Sequence, residues 1–246
     1  ACSILQNYGI EPTDVWLERY ESEEKWKRVD ACLTKKVKKD DWVIHPDADE
    51  FHELVNYNSY ENFFNSLKDT DVNAGQGIQV DRLSQNYVIP NTVEKNTNIF
   101  DQFPNIANMS TLIGTAGHKL MFYKGALRAN NGSGQIHEDF FEKVRYYTSD
   151  SNQHFKNLDV YKRYLVKNKP SETPDCWNNL IHKIREDEDL KGLIVHHFKW
   201  HSDCIEKLKS RIKTYIELQR PQVFQSIDFV EHYQAHGRVL VNKSNE

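Results

Sequence analysis

The chain has 246 residues, and its 32 Lys and Arg against 36 Asp and Glu leave a net charge of −4, which excludes a generally basic nucleic-acid binder. Twelve Phe, twelve Tyr and five Trp against ten Gly and seven Pro make a globular composition, neither disordered nor fibrous. The length allows one large α/β domain or two small ones. The longest uninterrupted apolar run, Leu120 to Tyr123, is four residues, far short of the ~20 that a membrane-spanning helix needs.

Cys2, Cys32, Cys176 and Cys204 form no Cys-x-x-Cys pair, so neither a zinc ribbon nor a dense disulfide framework is indicated. Reduced, mostly buried thiols are expected, and with them a cytoplasmic location. Asn-x-Ser sequons at Asn108, Asn131 and Asn242 read as accidents of a chain rich in both residues. The chain opens at Ala1 with neither an initiator Met nor an apolar signal region, which is read as the loss of an upstream piece.

In chain order, residues 15–20 read as a short strand. Trp26, Val29, Leu33 and Val37 then fall on one face of a helix over residues 22–38. Trp42-Val43-Ile44 is a second strand, so a parallel βαβ unit is expected. Ser59 caps a helix carrying Phe63, Phe64 and Leu67, and residues 77–83 read as a strand. Residues 85–117, rich in Asn, Thr, Pro and Gly, predict a long loop that carries function or lines a cleft. A strand over residues 119–124 and a strong turn at residues 130–135 follow. Residues 174–187 predict a helix and residues 193–200 a strand. An amphipathic helix then begins after Asp203, with Glu206 completing a capping box. No repeat or linker divides the chain, so one domain is expected, with an α/β core over residues 1–200 and a helical extension over residues 201–246.

The chemistry concentrates after the second strand, in Asp47-Ala48-Asp49-Glu50-Phe51. An alternating backbone points Asp47 and Asp49 the same way at the strand's C-terminal edge, where open α/β sheets bind ligands. Two close carboxylates repel unless a cation neutralises them, and hard oxygen donors suit Mg²⁺ or Mn²⁺. The structural alternative is that the two acids cap a turn. Late in the chain, alternation through residues 196–201 places His197, Lys199 and His201 on one polar, cationic face. His197 suits a metal already held by carboxylates, and Lys199 a diphosphate; ordinary strand-end histidines are the alternative. Trp42, Trp177 and Trp200 are assigned to the core before sugar stacking.

The run Asp41-Trp42-Val43-Ile44-His45-Pro46-Asp47-Ala48-Asp49-Glu50-Phe51 resembles the metal-motif segment of GT-A-fold glycosyltransferases of the family-two-like kind. Val80-Asp81-Arg82-Leu83 looks like the strand after that motif, and His196-His197-Phe198-Lys199-Trp200-His201 like the late histidine segment. The resemblance covers roughly residues 1–220. It implies a GT-A-like, Rossmann-like fold with a mostly parallel central sheet flanked by helices. It also implies a nucleotide-sugar donor whose diphosphate is bridged by metal to Asp47 and Asp49, with His197 as the late ligand; His196 or His201 satisfies the same reasoning. Gly132-Ser133-Gly134 before His137-Glu138-Asp139 is similar to the glycine loop and acidic motif of that family. The similarity makes Asp139 the candidate general base and Glu138 an acceptor contact, with Gly132, Gly134 and His137 toward the donor and Asp81 a rival base. The alternative is a surface hairpin turn with solvated acids. Ala1 to Ile10 looks like the helix after the family's first nucleotide-binding strand, which is itself missing.

The expectation is therefore a metal-dependent glycosyltransferase that uses Mn²⁺ or Mg²⁺ to move a sugar from a nucleotide-sugar to a glycan or other hydroxyl acceptor, with inversion. Two further classes remain open. One is a metal-dependent phosphotransferase or nuclease that activates water with the same carboxylates, although no Walker lysine loop is present. The other is an inactive, glycosyltransferase-derived carbohydrate-binding protein. Donor sugar, acceptor and oligomeric state are not legible.

Overall fold

The computed structural model describes residues 22–44, 46–107, 118–129, 136–147, 193–219 and 223–239, with Gly9, Glu11 and Val15. The expected first strand beyond Val15, the helix over residues 174–187, the Gly132 and Gly134 loop and most of the N-terminal segment lie outside the described residues. Helix α1 (Ser22–Lys36) leads to β1 (Trp42–Ile44) and β2 (Glu50–Leu54). There follow α2 (Tyr60–Ser66), β3 (Ala74–Leu83), α3 (Ile99–Gln102), β4 (Asn105–Ala107) and β5 (His118–Lys124). A 3-10 turn (Glu138–Phe140), β6 (Tyr146–Tyr147), β7 (Leu193–His197), α4 (Cys204–Glu217) and α5 (Val223–His236) complete the order.

The sheet is mixed, not mostly parallel as expected. Its order is β1-β5-β3-β7-β2, with β4 and β6 also on β3. β1 with β5, β5 with β3, β3 with β4 and β7 with β2 are antiparallel; only β3 with β7 and with β6 are parallel. The antiparallel pairs are not hairpins: β1 with β5 and β2 with β7 join strands far apart in the chain, so pairing is decided by long-range contacts and not by connection length. β1 and β2 sit at opposite ends of this order, yet only residues 45–49 join them. Four inter-strand steps of ~4.8 Å make ~19 Å, close to the full reach of so short a segment. That segment contains a turn, with Glu50 N donating to the Asp47 carbonyl at 3.1 Å. The sheet therefore curls, and the segment runs along its edge.

A β-bulge sets which side chains face which layer. Gly75 is opposite Phe122 and Gln76 opposite Leu120, which leaves Met121 as the extra residue on β5. The bulge turns Met121 and Phe122 to the same face, against Phe63 of α2 and its C-cap Leu67. Leu120 and Tyr123 face the other way, into a cluster with Ile136, Val144 and Leu33 of α1. Trp42 stacks on Phe64 at 4.6 Å between centroids, under the Lys124 ammonium, and so belongs to packing. A third cluster joins Leu83 and Ala107 of the sheet to Trp200, Leu208 of α4 and Phe229 of α5.

Local signals hold where the side chains themselves act. Ser59 caps α2, its side chain accepting from Asn62 N. Asp203, by contrast, adopts αR backbone and makes no side-chain cap bond, so the expected capping box is not formed. Within the expected loop over residues 85–117 the chain forms α3, capped by Asn98, and the edge strand β4. Both are too short to show a period. Among the described cysteines, Cys32 and Cys204 are free thiols, and burial raises Cys204 to about 11.

Gly75 is a steric requirement of this packing. A Cβ there would stand 2.2 Å from the Phe122 ring, which is itself fully buried. Gly75→Ala is expected to cost ~1–3 kcal/mol through overpacking, a loss of roughly 3–10 °C in Tm for a domain of this size. Differential scanning calorimetry checks it, and an unchanged Tm would contradict the packing described for Phe122.

Candidate functional site

The strand directions bring charged residues from several strands to one edge. β1 ends there, β5 carries Lys119 near its start there, β3 and β7 reach it with Asp81 and His197, and β2 begins there with Glu50. Asp81 and His197 are register partners on adjacent parallel strands. The segment carrying Asp47 and Asp49 lies along this edge. It is pinned where Phe198 N donates to the Asp49 carbonyl at 2.8 Å. Asp47 and Asp49 are thus placed by a turn and not by strand alternation, because β1 ends at Ile44.

Asp47 and Asp49 take different partners. Lys119 Nζ donates to Asp47 Oδ2 at 2.5 Å and to Glu50 Oε1 at 2.8 Å, while Lys25 of α1 donates to Asp47 Oδ1 at 3.3 Å. Glu50, with 1% of its side chain exposed, also accepts from Asp47 N at 2.9 Å. Burial alone would raise the Asp47 carboxyl, but the two lysines outweigh it and hold it below the usual range. Burial would likewise depress Lys119, and Glu50 and Asp47 reverse that.

Asp49 belongs to His197. The imidazole presents Nε2 to Asp49 Oδ2 at 3.4 Å and Nδ1 to Asp81 Oδ1 at 2.8 Å. The same Asp81 oxygen accepts from Trp200 Nε1 at 2.9 Å. Contact with His197 brings the Asp49 carboxyl down to about 2 against the opposing effect of burial. For His197, burial favours the neutral ring, but bonds to Asp49 and Asp81 prevail and raise it to about 9. Lys199, next but one along the chain, makes no ion pair among the described residues. Burial and nearby Arg211 depress its ammonium, opposed by Asp81 and Asp49.

His196 faces the opposite side of β7. Arg82 Nε donates to its Nδ1 at 3.1 Å, so the ring proton sits on Nε2 and goes to Glu53 Oε2 at 2.6 Å. This buried network, roofed by Phe100, makes His196 structural and leaves His197 as the histidine beside Asp49. Asp81 is 5% exposed and bonded to both His197 and Trp200, which suits positioning better than the rival-base role. Among the described residues no three His, Cys, Asp or Glu side chains form a ready metal cage.

The acidic motif sits elsewhere. Glu138 and Asp139 open the 3-10 turn, which the His137 ring caps by accepting from Asp139 N at 3.4 Å. His137 and Asp139 line an open cavity with Trp26, Asp30, Tyr123 and Arg128, and none of its lining residues is Asp47, Asp49 or His197. The structure therefore joins Asp47, Asp49, His197 and Lys199 at one sheet edge, and places Asp139 beside α1.

Sequence reasoning gave no role to Lys119 or Lys25, and quoted Glu50 in the acidic cluster without assigning it a partner. The signal for Lys119 was a lysine directly before the apolar run Leu120 to Tyr123, since such a charge survives burial only when paired. No helix among the described residues is long and apolar enough to cross a membrane. No family model matches the chain, and no curated protein or solved structure matches it.

The His197 shift has a definite sign. A histidine raised from 6.5 to about 9 on folding stabilises the fold fully below pH 6.5 and loses that contribution as pH rises through 9. Thermal melts in chelator are expected to show Tm falling over this window in the wild type. In Asp81→Asn, which removes one of the two carboxylates, the slope should flatten. Parallel curves for the two proteins would contradict the assigned contacts.

Proposed function

We propose that the chain is a metal-dependent glycosyltransferase of the GT-A-like kind, transferring a sugar from a nucleotide-sugar to an acceptor hydroxyl with inversion. The observation that carries this reading is His197, an imidazole held at Nδ1 by buried Asp81 while Nε2 faces Asp49. A carboxylate behind one ring nitrogen fixes the tautomer and orientation that a metal-ligating histidine needs at the other. The donor types suit Mn²⁺ or Mg²⁺: Asp49 and His197 stand together, and Asp47 would join them only on exchange of its lysine contacts. A divalent ion held there would neutralise the charge that develops on the departing nucleoside diphosphate.

The chain's own side chains supply the rest. Lys199 offers a cation beside Asp49 and Asp81, suited to diphosphate oxygens as a point charge. Lys25 and Lys119 hold Asp47 and fix the turn that presents both aspartates. His197 must release its proton before Nε2 can serve as a ligand, so binding of the ion competes with protonation.

A second reading, a carbohydrate-binding protein without transfer, is favoured by one specific feature. The lysines already balance Asp47, so the cluster is electrostatically stable with no divalent ion. Calorimetric titration of UDP and GDP, each with and without Mn²⁺, separates the two. Transfer chemistry expects binding of one nucleotide that needs Mn²⁺ and falls at least ~100-fold in Asp49→Asn, the range seen when a metal ligand shell is disrupted. Nucleotide binding that ignores both Mn²⁺ and the substitution would overturn the metal assignment.

A further inference from the structure

Two ammoniums hold Asp47, and they are unequal. Lys119 lies 2.5 Å from Oδ2 with 9% of its side chain exposed, and it also holds the buried Glu50 carboxylate at 2.8 Å. Removing it would strand Glu50 in the interior, where an unpaired charge is costly. Lys25 lies 3.3 Å from Oδ1, and 29% of its side chain and 38% of that of Asp47 are exposed. A partly exposed ion pair of this length contributes little stability. Lys25 is therefore the contact that yields first to a stronger cation, and its departure opens Oδ1.

Lys25 also belongs to α1, a helix whose C-terminal half is fixed to the β5 side of the sheet. Leu33 packs with Leu120 and Tyr123. Arg128 Nε donates to Asp30 Oδ1 at 2.5 Å, and Arg128 Nη2 donates to Thr34 Oγ1 at 3.3 Å. Just past the helix, the backbone is so close to Gly125 that a Cβ there would stand 2.1 Å from the Lys38 carbonyl oxygen. At the other end of α1, the Lys25 pair ties the first turns to the segment that presents both aspartates. A change at Asp47 is thereby transmitted to the start of α1, and by linkage a change at Lys25 alters ion binding by the same factor.

We propose that Lys25 is an autoinhibitory latch: its ammonium occupies Asp47 until a divalent ion at Asp49 and His197 displaces it, and its displacement releases the first turns of α1. The inference rests on the metal-dependent reading and goes beyond it. It gives control of ion entry to a residue outside the donor set, and it names the element that responds. A cation beside the incoming ion also repels it, so loss of Lys25 favours the ion both by freeing Oδ1 and by removing that repulsion.

Electron paramagnetic resonance of free Mn²⁺, with amide hydrogen exchange on the same samples, tests the latch in wild type, Lys25→Met, Lys25→Arg and Asp49→Asn. Methionine and arginine match lysine in helix propensity, so α1 should form in the Lys25 variants, which circular dichroism checks. Lys25→Met is expected to bind Mn²⁺ about fivefold more tightly than wild type, the scale of one partly exposed ion pair, while Lys25→Arg keeps the wild-type affinity. Saturating Mn²⁺ should raise exchange over residues 26–30 by up to about fivefold in wild type. In Lys25→Met the same amides should exchange at the raised rate without Mn²⁺ and gain nothing from it. The latch alone is overturned if Mn²⁺ uptake disappears in Asp49→Asn but is no tighter in Lys25→Met, or if exchange in α1 ignores the ion. No Mn²⁺ uptake by wild type and Lys25→Met, or uptake indifferent to Asp49→Asn, would overturn the latch together with the metal assignment.

Discussion

The site depends on a short connection across a wide sheet. β1 and β2 occupy opposite ends of the strand order, and residues 45–49 are all that joins them. So short a segment cannot cross a flat sheet and also contain a turn, so the sheet curls and the segment follows its edge. Asp47 then meets Lys119 at the start of β5, and Asp49 meets His197 at the end of β7. An insertion in residues 45–49 would release both the curl and these contacts.

Charge balance explains why so many ionisable groups tolerate one edge. Asp47, Asp49, Glu50 and Asp81 are matched by Lys25, Lys119 and protonated His197, with Lys199 close by. Buried ion pairs contribute little net stability, but removing one partner is costly because it strands the other. The arrangement is therefore better suited to holding a geometry than to strengthening the fold. It also offers Lys25, Lys119 and the His197 proton as groups that can yield when a stronger cation competes for the same oxygens.

Local pattern carried much of this structure in the sequence. The stripe through Trp26, Val29 and Leu33 marked α1, Ser59 marked the start of α2, and apolar runs marked β1, β5 and β7. The Asp-x-Asp-Glu-Phe run marked the turn whose aspartates meet Lys119 and His197. Strand order could not be read, because pairing is decided by contacts distant along the chain, and Met121 broke the alternation that would have assigned faces on β5. For the same reason the partners of Asp47 and Asp49 were invisible, since Lys119 lies 72 residues away from Asp47 and His197 lies further still. Asp139 illustrates the converse: a motif legible by similarity, but placed by the fold in the cavity beside Trp26.

Trp200 shows that the helical extension is coupled to the site. Its ring is buried among Leu208 of α4 and Phe229 of α5, tilted 40° to Phe229 at 4.8 Å between centroids. Its Nε1 donates to the same Asp81 oxygen that holds His197 Nδ1. One carboxylate oxygen thus receives two hydrogen bonds, one anchored in the C-terminal hairpin and one belonging to the sheet edge. A shift of the hairpin that moved the indole would alter the position or basicity of Asp81, and through it the orientation of the His197 ring toward Asp49. The packing of α4 and α5 is in this sense part of the geometry of the carboxylate cluster, although neither helix contributes a side chain to it.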